Sequence, residues 1–183
     1  VRTLIAAARA LMRAGQWDLS EELLASAGDD PWILLARAEV AVDRDFWCGT
    51  SRAGDALAKA EAAVAGAADP AYAREVELLA TCHDYFSTIV GPDGTFRVGA
   101  GQHDTATIAG LTARAQRVHD TAPPDARGGW AAFWRGVIAD NVAGDPDTAQ
   151  LYYAEALRSG EDHGDDALAA EALRHQGGHA RRL

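Results

Sequence analysis

Two signals alternate along this chain at a spacing that few folds accommodate: a glycine inside an apolar-periodic stretch, and an Asp-Pro pair at its end. In residues 10–32, ALMRAGQWDLSEELLASAGDDPW, the glycine is Gly15 and the stop is Asp30-Pro31. Upstream of Gly15, Leu4, Ala7, Ala8 and Leu11 recur on one helical face. Downstream, Leu19, Leu23, Leu24 and Ala27 do the same. Glycine tolerates the left-handed backbone that ends a helix, and Pro at the first helical position begins the next one. The stretch therefore reads as a hairpin of two antiparallel helices.

The pattern recurs. A third helix is expected from Trp32 to about Val42, carrying Ile33, Leu34, Ala36, Val40 and Ala41. DRDFWCGTS breaks it, and Thr50 or Ser51 is placed to cap a fourth helix with the face Ala53, Ala56, Leu57, Ala60, Ala63 and Val64, stopped by Asp69-Pro70. A long helix from Tyr72 to Ile89 and another from Thr105 to His119 end at Pro123-Pro124. The last full pair turns at Gly144-Asp145-Pro146. The stops at Pro31, Pro70 and Pro124 lie 39 and 54 residues apart, with the excess in loops rather than helices. One domain is expected over 1–183, in repeats spanning 1–31, 32–70, 71–124 and 128–160 with a partial one at 165–183. An alanine-dominated apolar fraction, 48% of the chain with only 7% aromatic, favours helices that approach closely.

These residues resemble the tetratricopeptide repeat family, whose helix-turn-helix period is roughly 34 residues. Leu4, Ala8 and Leu11 stand at its bulky, small and bulky helix-A positions. Gly15 and Trp17 match its turn, and Ser20, Leu24 and Ala27 its helix-B positions. Gly144, Ala149, Tyr153 and Ala156 repeat the second half at the same offsets, whereas Gly136 falls one residue from the expected small position. The second and third repeats match by architecture and proline stops, and the overall look is of an alanine-rich bacterial member. The resemblance implies an all-α, right-handed α-α superhelix of about four hairpins plus a C-terminal helix.

In that family helix A lines the concave face, and residues between its packing positions point to ligand. Here those are Arg2, Ile5, Arg9, Met12 and Arg13 in the first repeat, Arg74, Glu77, Thr81, Asp84 and Tyr85 in the third, and Asp140 and Asn141 in the fourth. The groove would be basic at one end and acidic further on. The lysine and asparagine clamp with which some members hold a peptide C-terminus is not reproduced, because the second repeat offers only Arg37.

Chemistry elsewhere is sparse. His175 and His179 have metal-sharing spacing, but Gln176 stands where a zinc protease carries glutamate and Gly177-Gly178 weakens the helix. His163, Asp165 and Asp166 could join only through the fold. The loop 91–104, GPDGTFRVGAGQHD, lacks the Gly-Lys-Ser/Thr ending of a phosphate loop; it reads as a mobile connection or a lid. Trp130, Phe133, Trp134, Tyr152 and Tyr153 read as core packing, with peptide anchoring as the alternative. Cys48 and Cys82 have no CxxC spacing or fixed acid partner, which fits a reducing cytoplasm.

A net charge of −10 disfavours nucleic acid and anionic membranes, and no stretch approaches the roughly 20 apolar residues of a membrane span. The amphipathic opening is interrupted by Arg9 and Arg13, unlike an export signal. The expected function is thus a non-catalytic scaffold for a protein or peptide partner, with no cofactor and no metal. Two alternatives stand beside it: a sensor or regulatory fragment of a larger bacterial transcriptional regulator, and a metal-dependent hydrolase using the histidines. The terminal stretch EALRHQGGHARRL reads as a capping helix or a repeat cut short. Its apolar residues Ala167, Leu168, Ala170, Leu173 and Ala180 would favour a closed homodimer, unless the helix folds back and leaves Arg174, Arg181 and Arg182 to water.

Overall fold

The computed structural model describes residues 1–91 and 93–180, with the side chains of His179 and Ala180 outside the description, as are Pro92, Arg181, Arg182 and Leu183. The described chain is all-helical: α1 (Arg2–Arg13), α2 (Trp17–Ala25), α3 (Pro31–Cys48), α4 (Ala53–Ala62), α5 (Ala71–Ile89), α6 (Thr105–Asp120), α7 (Ala126–Ile138), α8 (Pro146–His163) and α9 (Asp166–Ala180). A short 3-10 turn, Val64–Gly66, follows α4, and a π-turn, Ala139–Ala143, follows α7. The chain falls into two compact units, Val1–His83 and the remainder from Asp84, with the boundary inside α5. A single body was expected from the sequence.

In the first unit α1 turns at Gly15, whose φ of +72° is left-handed, and returns as α2. The two helices meet where Ser20 donates its hydroxyl to the Ala8 carbonyl at 2.9 Å, and both residues are fully buried. A small residue on each side lets the backbones close to that distance. α3 lies against both, and Ile5, Ala8, Met12, Leu24, Ile33, Ala36 and Val40 form one apolar core. The Asp30 carboxylate accepts from the Trp32 amide at 2.9 Å and Pro31 occupies the first turn of α3, as Asp-Pro chemistry predicts.

α3 departs from the sequence expectation by running through DRDFWC to Cys48, where Gly49 (φ +66°) ends it. Its charged residues are satisfied on the helix: Arg44 pairs with Asp18 and Glu21, and the Asp43 carboxylate accepts from the Trp17 indole at 2.7 Å. Nor is α4 capped by Thr50 or Ser51. Asp45 reaches forward from α3 and accepts from the Thr50 hydroxyl and from the amides of Arg52 and Ala53 at 2.9 and 2.7 Å. Asp45→Ala should therefore free two amides at once, at a cost of about 1–2 kcal/mol. A thermal melt reads the loss; a melt unchanged within error would remove the cap assignment.

In the second unit the N-caps of α6, α7 and α8 are Asp104, Asp125 and Asp145, accepting from the amides of Thr107, Arg127 and Thr148. α7 packs against α6, α8 and α9. Its glycines sit at the crossings. A Cβ on Gly136 would come within 2.9 Å of the Tyr153 ring, and one on Gly129 within 2.5 Å of both Leu168 and Ser159. Ala8 precedes its turn glycine by seven residues, whereas Gly136 precedes Gly144 by eight. The π-turn at Ala139–Ala143 takes up the extra residue. The one-residue offset of Gly136 thus has a structural cause.

α9 folds onto α7 and α8, burying Leu168 and Ala172 and seating the His175 ring 5.2 Å from Phe133 and 4.9 Å from Tyr153. Of the apolar residues expected to lie open, Ala170 and Leu173 are exposed, Ala167 is half-buried and Ala180 lies outside the description. The area available for a dimer on this helix shrinks accordingly. The loop after α5 is tied rather than free. Gly91 donates to Thr95 at 2.8 Å, Arg97 to Ile89 at 2.7 Å, and Gly99 to Asn141 in the π-turn at 2.7 Å.

Candidate functional site

The residues singled out from the sequence separate into exposed cations, engaged pairs and core. On α1, Arg2 and Arg13 are exposed, and Arg9 chelates both oxygens of Glu39 on α3 at 3.1 and 2.8 Å. Met12 and Ile5 are each only 9% exposed and belong to the core, because α3 covers the side of α1 that they occupy. On the first part of α5, Arg74 lies 3.5 Å from Glu75, Glu77 is half-buried, and Thr81 is fully buried with its hydroxyl donating to the Glu77 carbonyl.

In the second unit the structure brings together residues distant in sequence. Asn141 donates its amide to the Tyr85 hydroxyl at 2.7 Å, and Asp84 pairs with Arg114 on α6. Tyr85 and Asp140 are buried, 4% and 8% exposed, and the Tyr85 ring sits 5.6 Å from Trp134. Met12, Tyr85 and Asp140 therefore offer a ligand little surface. Trp134 is among the aromatics expected in the core, whereas Glu39 and Arg114 are the partners that sequence reasoning missed in this set. No local signal marks them, since the contacts bridge separate helices.

A cavity of about 380 Å³ opens in the second unit among His119, Glu155, Ser159 and His163. His119 Nε2 meets Glu155 at 3.0 Å, and its Nδ1 lies 3.6 Å from Asp120. Ser159 donates to the Asp125 carbonyl at 3.2 Å, and His163 Nδ1 to the Ser159 carbonyl at 2.8 Å. A hydroxyl nucleophile needs its proton directed at an imidazole nitrogen; the Ser159 hydroxyl lies 3.5 Å from His163 Nδ1, but that nitrogen is turned to the Ser159 carbonyl. Among the described residues no group of three His, Cys, Asp or Glu side chains is placed to hold a metal ion. Cys48 is exposed and Cys82 buried. Among the aromatics, Phe133 and Tyr153 are buried, while Trp130, Trp134 and Tyr152 are half-buried.

Two sets of carboxylates are shifted in opposite directions. Burial pushes the Asp43 carboxyl above its usual range, against hydrogen bonds from Trp17 and Trp47. The capping aspartates lie below it. Asp145 is held down by the Thr148 hydroxyl and amide, Asp104 by the Thr107 amide and hydroxyl, and Asp125 by the Arg127 side chain. Burial raises Asp45, but the Arg52, Thr50 and Ala53 donors outweigh it. A depressed carboxyl contributes stability that is present above its unfolded pKa and lost as pH falls through the folded one; Asp43 does the reverse, its contribution being lost as pH rises through its raised value. The four caps outnumber the single raised group. The urea midpoint should fall as pH drops from about 5 to about 3, and Asp145→Asn should flatten that fall. A midpoint that rises over this interval would show Asp43 dominating.

Comparison with family models, curated proteins and solved structures gives no match to this chain. No described helix is long and apolar enough to cross a membrane.

Proposed function

We propose that this chain is a tetratricopeptide-like array of helical hairpins, wound as a right-handed superhelix, that binds a protein or peptide partner without catalysis. The observation that carries the reading is a burial stripe at i, i+4 and i+7 on the second helix of successive pairs. Ser20 and Leu24 form it on α2, with Ala27 just past the end of that helix, and Ala53, Leu57 and Ala60 form it on α4, Leu111, Ala115 and Val118 on α6, and Ala149, Tyr153 and Ala156 on α8. All are buried except Ala27, which is half-buried. Stacked hairpins of this kind create an extended surface and leave the polar side of each first helix for recognition.

On that surface Arg2 and Arg13 are the groups best placed to meet a partner in the first unit, with Arg9 oriented by Glu39 between them. The partner side would carry carboxylates. A reducing cytoplasm suits an exposed Cys48 and a buried Cys82 that share no CxxC spacing. The test is a displayed-peptide selection on the full chain, followed by affinities for the double variant Arg2→Glu/Arg13→Glu. The expected result is a loss of about tenfold or more, as charge reversal at an interface gives. Peptides that bind the variant as well as the native chain would sink the assignment of this face.

A further inference from the structure

The free cations of α1 have a counterpart at the other end of the sequence. α1 contains no acidic residue, and Glu39 neutralises Arg9. Arg2 and Arg13 are exposed and make no ion pair among the described residues, so the solvent side of α1 stays net positive by two charges in a chain whose total is −10. The corner between α8 and α9 is the reverse. Glu161, Asp162 and Asp166 are exposed there and make no ion pair among the described residues, while Asp165 accepts from the Trp130 indole and the Leu168 amide. Even with Arg158 counted, this corner is net negative by three.

We infer that the partner of the α1 face is a second copy of this chain, presenting the outer side of α9 and the acidic corner before it. The inference rests on the proposed function and names the partner whose carboxylates Arg2 and Arg13 meet. Spacing joins charge in selecting it. Arg2, Ala6, Arg9 and Arg13 form one stripe at i, i+4, i+7 and i+11, and on α9 Asp166, Ala170, Leu173 and Gly177 repeat those intervals, all four exposed. With the two helices parallel and in register, Arg2 stands beside Asp166 with Glu161 and Asp162 next to it. Ala6 then faces Ala170, and the stem of Arg9 covers Leu173. Arg13 reaches the last turn of α9, where a helix C-terminus favours a cation. Two α9 helices make a poorer pair, because each brings the same acidic corner to the other. The contact joins different surfaces of the two copies, so it leaves a free α1 at one end and a free α9 at the other. Growth therefore continues past two copies. One helix laid on another is small for an interface, so the association is weak and reversible.

Sedimentation equilibrium of the full chain, at concentrations up to about 1 mM and at two ionic strengths, is the test. The mass should climb past that of a dimer at low salt and fall back at high salt. Arg2→Glu/Arg13→Glu and Glu161→Lys/Asp162→Lys should each weaken association about tenfold or more. An equal mixture of the two variants should recover it, because each reversed face then meets its complement. Lysines in the last turn of α8 suit the dipole of that helix, and Glu161→Gln/Asp162→Asn is measured alongside, with circular dichroism on every variant, so that an unfolded chain is not read as a lost contact. A chain that stays monomeric overturns the inference. So does a mass that stops at the dimer, as a closed twofold contact gives, and so does a mixture no more associated than its parts. Selected peptides that lose affinity for Arg2→Glu/Arg13→Glu while the native chain stays monomeric would sink this inference and leave the proposed α1 face standing; peptides indifferent to that variant would sink the face itself.

Discussion

Tyr153→Ala should destabilise the second unit by about 3–5 kcal/mol, the range for emptying a large aromatic site in a packed core. Tyr153 is fully buried on α8 and is flanked by rings from two other helices, Phe133 on α7 at 5.9 Å and His175 on α9 at 4.9 Å. On its remaining side the absent Cβ of Gly136 makes the room its ring fills. One side chain therefore joins three helices, and its loss opens a cavity that none can close alone. Leucine at the same position should recover part of the loss, because it restores volume without the ring contacts. Chemical denaturation of both variants reads the difference. A loss below about 1 kcal/mol in the alanine variant would mean that α9 is not held through this ring.

Local turn chemistry made the hairpins legible. Gly15, Asp30-Pro31, Gly144 and Asp145-Pro146 each act on the backbone within a few residues of themselves, so the elements they bound could be read from neighbours alone. The long α3 could not. Its continuation through DRDFWC depends on Asp43, Arg44 and Asp45 finding partners on α2 and at the start of α4, and a charge-rich run without those partners reads as a break. The same limit governs the candidate site. Arg9 and Glu39 are 30 residues apart, and Asn141 and Tyr85 are 56 apart. Periodicity can put Met12 or Tyr85 on a face of its helix, but whether that face is open depends on which other helix lies over it. The burial of Met12 beneath α3, and of Tyr85 beside Trp134, is tertiary information.

Periodicity also treated the two turn glycines as equivalent, and the structure separates them. Both are left-handed, with φ of +72° at Gly15 and +67° at Gly144. An alanine at either position pays roughly 1–2 kcal/mol for a backbone that its Cβ disfavours. At Gly15 nothing further is added: the new methyl would lie 3.7 Å from the Trp17 ring, an ordinary contact. At Gly144 the same methyl would stand 2.5 Å from the backbone of Ala100, in the loop that Gly99 fastens to the Asn141 carbonyl. Backbone cannot rotate away as a side-chain tip can, so the loop or the π-turn must move, at an overpacking cost of about 1–3 kcal/mol. Gly144→Ala should then cost about 2–5 kcal/mol in all, against about 1–2 kcal/mol for Gly15→Ala. Amide exchange should locate the difference, with Gly99 and Asp145 losing protection in Gly144→Ala alone. Equal losses of stability in the two variants, with the Gly99 amide still protected, would mean that the loop does not lie against this turn in solution.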